Sequence, residues 1–299
     1  MNRLNYINVI FMLASASLAL FIPFELVLLS YAVLGPAHYL TEIRWLKDRQ
    51  FFMPQKHDIL LISAIILVCV LLRLPYVNMV YYTFGFSLVI LITRDNFYRF
   101  IVLLILIAGG YFLLTNNLLR TVFGLYLPTL IHVYIFTGAF LLLGALKQKN
   151  VSGYIAFFTF LLCPALLCLL FTGLHTIPTH WAMSNYLHFR TLNVTSLRDP
   201  TINIYTNRAS IILTRLIAFA YTYHYINWFS KVKIINWHHI SIKWVVIILT
   251  IWIVSTGLYF YNYHLGVKWL FILSLIHVIL EFPLNYRSFI NIGKLLRYR

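Results

Sequence analysis

Four histidines lie inside apolar stretches of this chain, at His38, His132, His224 and His277. Ionisable side chains at membrane depth are costly, by about 2.5–3.5 kcal/mol for a central charge on insertion scales, so they are functional candidates. An imidazole can be buried neutral, and it is a good ligand for iron, copper and zinc. We therefore interpret these four histidines as candidate metal ligands.

Two acidic residues follow two of these histidines at helical spacing. Glu42 comes four residues after His38, and Glu281 comes four residues after His277. Residues four apart share a helix face, provided that the helix continues that far. A carboxylate there can bind a metal, or it can accept the second ring N–H and fix the tautomer. Glu42 and Glu281 are therefore candidate catalytic residues.

Each candidate also has a structural interpretation. A single intramembrane histidine can form a hydrogen bond between helices without binding metal. Glu42 can pair with Arg44 or Lys47 at the headgroup boundary. Three more histidines lie in one polar stretch, and their role stays open because a wet loop tolerates histidine freely: His175, His180 and His188.

The composition decides which elements must position these residues. Of the 299 residues, 62% are hydrophobic and only 10% are charged, against roughly 45–50% and 25% in soluble domains. A soluble domain is excluded, and the lipid bilayer is the expected environment. Ten segments approach the length of about 20 residues that a membrane helix needs: 7–22, 25–41, 57–74, 76–93, 98–114, 121–145, 152–174, 209–230, 241–263 and 267–286.

These spans predict an all-α, polytopic transmembrane helical bundle. The chain forms a single membrane domain, 1–299, with one extramembrane loop at about 175–208. The first two spans are short and are separated only by Pro23, Phe24 and Glu25. They can therefore also be one broken helix.

The charge pattern tests the span count. The net charge is +16, and alternate loops place 16 of the 23 Lys and Arg residues on the side of the N-terminus and seven, including Arg215, on the other. Basic residues collect in cytoplasmic loops, so both termini are predicted to be cytoplasmic. Because the positive-inside bias accounts for the excess of basic over acidic residues, no nucleic-acid partner is expected.

The span count also predicts where the histidines meet. All four lie on even-numbered spans, which run in the same direction, from the outside inward. His38 and His224 fall within two turns of the cytoplasmic end, and His132 and His277 lie near the middle of their spans. Modest helix tilts would then bring the four imidazoles together in the inner half of the membrane.

Other patterns are missing from the sequence. It contains no phosphate-binding loop, no dinucleotide fingerprint and no nucleophile elbow. It also lacks the His-x-x-x-His boxes of membrane desaturases and convincing internal repeats. Two alternatives to an enzyme stay open: a haem-binding electron carrier, and a non-enzymatic metal or proton transport or binding protein.

Four segments resemble the Brp/Blh family of bacterial membrane β-carotene dioxygenases. They are LGPAHYLTE (Leu34–Glu42), LPTLIHVYIF, AFAYTYHYINWF and SLIHVILEF, and each contains one of the four histidines. The chain departs from the family at Trp228, where the second histidine of a His-x-x-x-His pair would fall. One ligand is then missing or is supplied by Glu281 or His277.

The resemblance implies an iron-dependent oxygenase in the bacterial inner membrane. The cofactor would be non-haem Fe(II), held by His38, His132, His224 and His277. The reactants would be dioxygen and an apolar polyene such as a carotenoid, with oxidative cleavage of a double bond. Substrate identity and oligomeric state are not implied.

Overall fold

A computed structural model describes residues 2–49, 64–69, 71–93, 95–116, 119–120, 122–169, 176–186, 203–231 and 240–297. All regular structure in these ranges is helical, so the predicted all-α class is confirmed. The helices are α1 (Asn2–Phe21), α2 (Pro23–Asp48), α3 (Tyr76–Ile92), α4 (Asn96–Thr115), α5 (122–148), α6 (Val151–Leu169), α7 (His180–Tyr186), α8 (Arg208–Ser230), α9 (Ile242–Tyr261) and α10 (Tyr263–Arg297).

Seven helices among the described residues are long and apolar enough to cross a membrane: α1, α2, α4, α5, α6, α9 and α10. They indicate a membrane protein with a helical bundle, while the count of ten spans and the cytoplasmic termini stay predictions. Eight of the 18 residues of the predicted span 57–74 lie outside the described residues, as do His175 and His188 of the predicted loop.

The first two predicted spans are separate helices. The chain breaks at Ile22, whose backbone angles (φ −132°, ψ 52°) are not helical. Pro23 then occupies the first position of α2, where its missing N–H removes no helical hydrogen bond. The predicted end of span two at residue 41 is wrong, because α2 continues to Asp48. Glu42 therefore lies on the same helix as His38.

Four helices form the centre of the bundle: α2, α5, α8 and α10 pack against one another in the pairs α2–α8, α2–α10, α5–α8 and α5–α10. The other long helices lie around them, with α1 and α6 against α8, and α9 against α2 and α10. In the most apolar part of α2, 67% of the residues are buried, whereas in that of α4 only 11% of the residues are buried. The histidines are carried by the central helices, one on each.

Two of the central helices widen into π-helix just before a histidine. In α2 the π segment is Ser30–Leu34, and in α5 it is Val122–Ile131. Such segments occur frequently at functional sites. His132 directly follows the second π segment, and His38 lies about one turn after the end of the first.

The hairpin between α9 and α10 depends on a close approach at Gly266. A Cβ there would collide with the backbone of Tyr259. We expect Gly266→Ala to destabilise the protein by about 1–3 kcal/mol, as overpacking does, and to lower the Tm in detergent. Gly257→Ala is the control, because a Cβ at Gly257 meets nothing within 4 Å. Equal Tm values for the two variants would contradict this packing.

Candidate metal centre

The four intramembrane histidines converge at one place between the central helices. His38 (α2), His132 (α5), His224 (α8) and His277 (α10) are 1%, 3%, 6% and 2% exposed. The ring of His38 lies 4.7 Å from that of His224 and 4.8 Å from that of His277, measured between centroids. The ring of His132 lies 6.1 Å and 6.2 Å from the same two rings. The structure therefore brings together residues that are up to 239 positions apart in the sequence.

Glu42 joins this cluster from α2. Its Oε2 atom lies 3.2 Å from Nε2 of His38 and 3.0 Å from Nε2 of His277, and the residue is 2% exposed. The interpretation of Glu42 as a surface partner of Arg44 or Lys47 is wrong, because Glu42 is buried against the two histidines, and Arg44 pairs with Asp48 at 2.8 Å instead. Glu42 is therefore part of the buried site.

Glu281 joins the cluster from α10, one turn after His277. Its Oε2 atom lies 3.4 Å from Nε2 of His132, which belongs to α5, and the residue is 1% exposed. Glu281 therefore faces a histidine of another helix, and both predicted carboxylates reach the site. Below, the six side chains are called the His/Glu cluster: His38, Glu42, His132, His224, His277 and Glu281.

The separations within the His/Glu cluster match those of ligands around one metal ion. With metal–ligand bonds of about 2.1 Å, two ligands are about 3.0 Å apart at a right angle and about 3.4 Å apart at the tetrahedral angle. The three carboxylate–imidazole distances are 3.0, 3.2 and 3.4 Å. The donor atoms of His38, His224 and His277 also lie within 4.8 Å of one another. The residues therefore fit a metal site.

Several donor atoms of the cluster make no hydrogen bond. They are both ring nitrogens of His38 and of His132, Nε2 of His224, Nδ1 of His277 and Oε2 of Glu281. A buried polar atom without a partner is costly, and such atoms in a folded protein need an explanation such as an ion. Nε2 of His132 and Oε2 of Glu281 are only 3.4 Å apart, yet they do not have hydrogen-bond geometry. Lone pairs directed at a common ion would give this arrangement.

Thr137 holds the ring of His224 from the far side. Its hydroxyl oxygen lies 2.8 Å from Nδ1 of His224, and both residues are buried. If Nδ1 donates this hydrogen bond, Nε2 keeps its lone pair for a metal, as in many sites where a partner fixes the tautomer. Thr137 was not predicted from the sequence, because it lies five residues after His132 in an ordinary apolar helix and belongs to no distinguishing pattern.

This contact leads to a measurable prediction. We expect Thr137→Val to weaken metal binding by about 10- to 100-fold, because second-layer partners of metal-binding histidines contribute that much. Thr137→Ser keeps the hydroxyl and is expected to bind as the wild type does. Affinities from competition with a metal-binding dye would test the pair, and equal affinities for the two variants would contradict the role of Thr137.

Aromatic side chains enclose the cluster on the α2–α8 side. Tyr39 stacks on His277 with ring centroids 4.8 Å apart, and its hydroxyl lies 2.6 Å from that of Tyr225. Trp228 packs edge-on against His38 at 5.6 Å and donates a hydrogen bond from Nε1 to the Thr41 hydroxyl at 3.0 Å. Trp228 therefore supports His38 at the position where the family resemblance expects a second histidine.

Lys231, which directly follows α8, interacts electrostatically with Glu42 and His224. Three other ionisable residues of interest lie outside the cluster. Arg215, which the charge count assigned to the non-cytoplasmic side, is fully buried within α8. His180 begins α7, and His264 is exposed on α10. Neither of these two histidines belongs to the metal-like clusters among the described residues.

Comparisons with protein-family models, with curated proteins and with solved structures find no match for this chain.

Proposed function

We propose that this protein is a membrane-embedded, non-haem iron oxygenase that cleaves a double bond of an apolar polyene such as a carotenoid, in a bacterial inner membrane. One observation carries the proposal. Four imidazoles and two carboxylates from four sequence-distant helices meet in a buried cluster with the spacing of metal ligands.

The chemistry of the donors favours iron. Imidazole and carboxylate together suit non-haem Fe(II), and the cluster contains no thiolate that would select a softer metal. The two carboxylates can offset the charge of one divalent ion, which makes its burial tolerable. Iron, when bound, would supply the activation of dioxygen. The resemblance of the four histidine segments to the Brp/Blh family adds the polyene as the reactant.

The neighbouring side chains keep water away and hold the ligands in place. Tyr39 and Trp228 cover the rings of His277 and His38, and the Thr137 hydroxyl fixes the orientation of His224. A dry, aromatic environment suits a reaction on a hydrocarbon, because a reactive oxidant is then protected from water.

An apolar groove beside the cluster fits a hydrocarbon chain. It lies between α2, α8 and α9, has a volume of about 190 Å³, and is lined by residues including Ala37, Thr41, Phe229, Val245, Ile248 and Trp252. Its one hydroxyl, on Thr41, is already engaged with Trp228 and with the carbonyl of His38. The groove borders the exposed apolar face of α9, so it is accessible to a chain dissolved in the bilayer. We assign it to one end of the polyene.

Filling the groove is expected to slow the reaction without removing iron. Val245→Trp places an indole in the groove, and we expect kcat/KM to fall by about 10-fold while iron content stays at the wild-type level, since α9 carries no residue of the cluster. The control is Val246→Trp, because Val246 is next in sequence and 55% exposed. Equal activity of the two variants would remove the groove from the substrate path.

The geometry favours non-haem iron over haem. A porphyrin bound between two axial histidines needs a flat slot between their coordinating nitrogens. The Glu42 carboxylate lies between His38 and His277, in contact with Nε2 of both. An iron ion coordinated directly by these side chains uses that space, whereas a porphyrin would have to displace the carboxylate.

The proposal is tested with purified protein and in cells. We expect the protein to contain iron, and a β-carotene-producing host to form a retinal-type aldehyde when it expresses the wild type. His132→Ala, expressed at the same level, is expected to lose the aldehyde. Protein that binds no metal and produces no aldehyde would overturn the proposal, and a Soret band in detergent would favour the haem carrier instead.

A further inference from the structure

The His/Glu cluster holds more ligands than one iron needs. Four imidazoles and two carboxylates would saturate a six-coordinate ion, whereas a catalytic metal keeps a position open for its reactant. All six side chains are 6% exposed or less. A single reactive ion therefore does not account for all six buried ligands.

The metal-donor atoms of the His/Glu cluster form two groups, one at each end of the cluster. At one end, Glu42 contacts His38, and the donor atoms of His38, His224 and His277 form one trio within 4.8 Å. At the other end, Glu281 contacts His132, and the donor atoms of Glu42, His277 and Glu281 form a second trio within 4.8 Å. Glu42 and His277 thus lie where the two ends meet.

Each end also has its own donor atoms without a hydrogen bond. Nε2 of His38 and Nε2 of His224 belong to the first end, and Nε2 of His132 and Oε2 of Glu281 belong to the second. One ion at the first end leaves the second pair unexplained. A buried carboxylate oxygen and an imidazole nitrogen 3.4 Å apart are themselves spaced as two ligands of one ion.

We propose that the His/Glu cluster binds two divalent metal ions, with the Glu42 carboxylate between them. The first ion is held by His38, His224 and Glu42. The second is held by His132, His277 and Glu281, with Glu42 shared. The first ion then has two imidazoles and one carboxylate, and the second has two imidazoles and two carboxylates, one of them shared; both sets leave positions open on a six-coordinate ion. This inference rests on the proposed function only in that a metal binds at the cluster.

The charges predict that the two ions bind unequally. Two divalent cations bring two more positive charges than the two carboxylates offset, and an uncompensated buried charge is costly. The second ion is therefore expected to bind more weakly than the first. A metal titration should show two successive steps rather than one.

The test is the number of ions bound per chain. Protein stripped with a chelator is titrated with Co²⁺ in detergent, followed by its visible absorption, and the bound metal is counted after desalting. We expect two equivalents for the wild type and one for His132→Ala and for Glu281→Gln. His264→Ala is the matched control and is expected to keep two, because His264 is exposed on the same helix as His277. Circular dichroism checks that each variant is folded.

The distance between the ions separates a shared site from a chance second ion. In Mn²⁺-loaded protein, ions that share a carboxylate lie about 3.5–4 Å apart and are expected to give an exchange-coupled EPR spectrum. One equivalent in the wild type, or a second Mn²⁺ that is uncoupled, would overturn the two-ion proposal and leave the proposed function standing. Protein that binds no metal at all would overturn both.

Discussion

Replacing His277 by alanine is expected to weaken metal binding by about 100-fold or more, since loss of a ligand should exceed the 10- to 100-fold cost of losing a second-layer partner. His277 belongs to both trios of donor atoms, and its Nε2 atom lies 3.0 Å from Glu42. Its removal therefore affects both ends of the His/Glu cluster. The measurement is metal content after purification, together with affinity from dye competition.

The control for this variant lies on the same helix. His264→Ala removes an imidazole from α10 at an exposed position outside the cluster, so metal content is expected to be unchanged. If both variants retained metal equally, His277 would not be a ligand. If both lost it equally, the loss would reflect damage to α10 rather than a missing ligand.

Replacing Glu42 by glutamine is expected to cost about as much, about 100-fold in metal affinity, and to abolish turnover. Glutamine keeps the size of the side chain but loses its negative charge, so a buried cation loses half of its compensation from carboxylates. Within the His/Glu cluster, Glu42 contacts His38 on its own helix, α2, and His277 on α10, so it links these two helices. Iron content and product formation are measured together.

Asp48→Asn is the matched control for Glu42→Gln. Asp48 lies on the same helix and its side chain is 46% exposed, paired with Arg44. Exposed pairs of this kind contribute little to stability, typically under about 1 kcal/mol, so the variant is expected to retain both iron and turnover. A Glu42→Gln variant with full iron content would show that the carboxylate only supports the histidines.

The sequence was a good guide to the helices and to the ionisable residues of the site. Apolar runs mark membrane helices strongly, because the bilayer leaves the backbone few other structures. Charged and ionisable groups stand out against such runs, which is why Glu281 could be singled out. The boundaries were less predictable: α2 continues past Thr41 because its last turns are amphipathic, with Glu42 facing inward and Arg44 paired with Asp48.

The supporting side chains could not be found from the sequence. Thr137, Tyr39 and Trp228 are residues of common types in an aromatic, apolar chain, and nothing in their spacing separates them from lipid-facing neighbours. Their roles depend on which helix lies opposite, as when Thr137 of α5 meets His224 of α8. Hydropathy does not encode helix neighbours, because lipid and protein interior are similarly apolar. The contacts between helices therefore could not be predicted from the sequence and are seen only in the three-dimensional structure.

X-ray absorption at the iron edge of the purified wild-type protein shows which atoms surround the metal, and therefore whether the His/Glu cluster holds it. We expect iron in the sample, surrounded only by nitrogen and oxygen atoms at about 2.1 Å, with the outer-shell scattering that imidazole rings produce. A sample without iron or any other bound transition metal would contradict this expectation. A sulfur ligand or a porphyrin pattern would contradict it equally, since the His/Glu cluster would then not be what holds the metal.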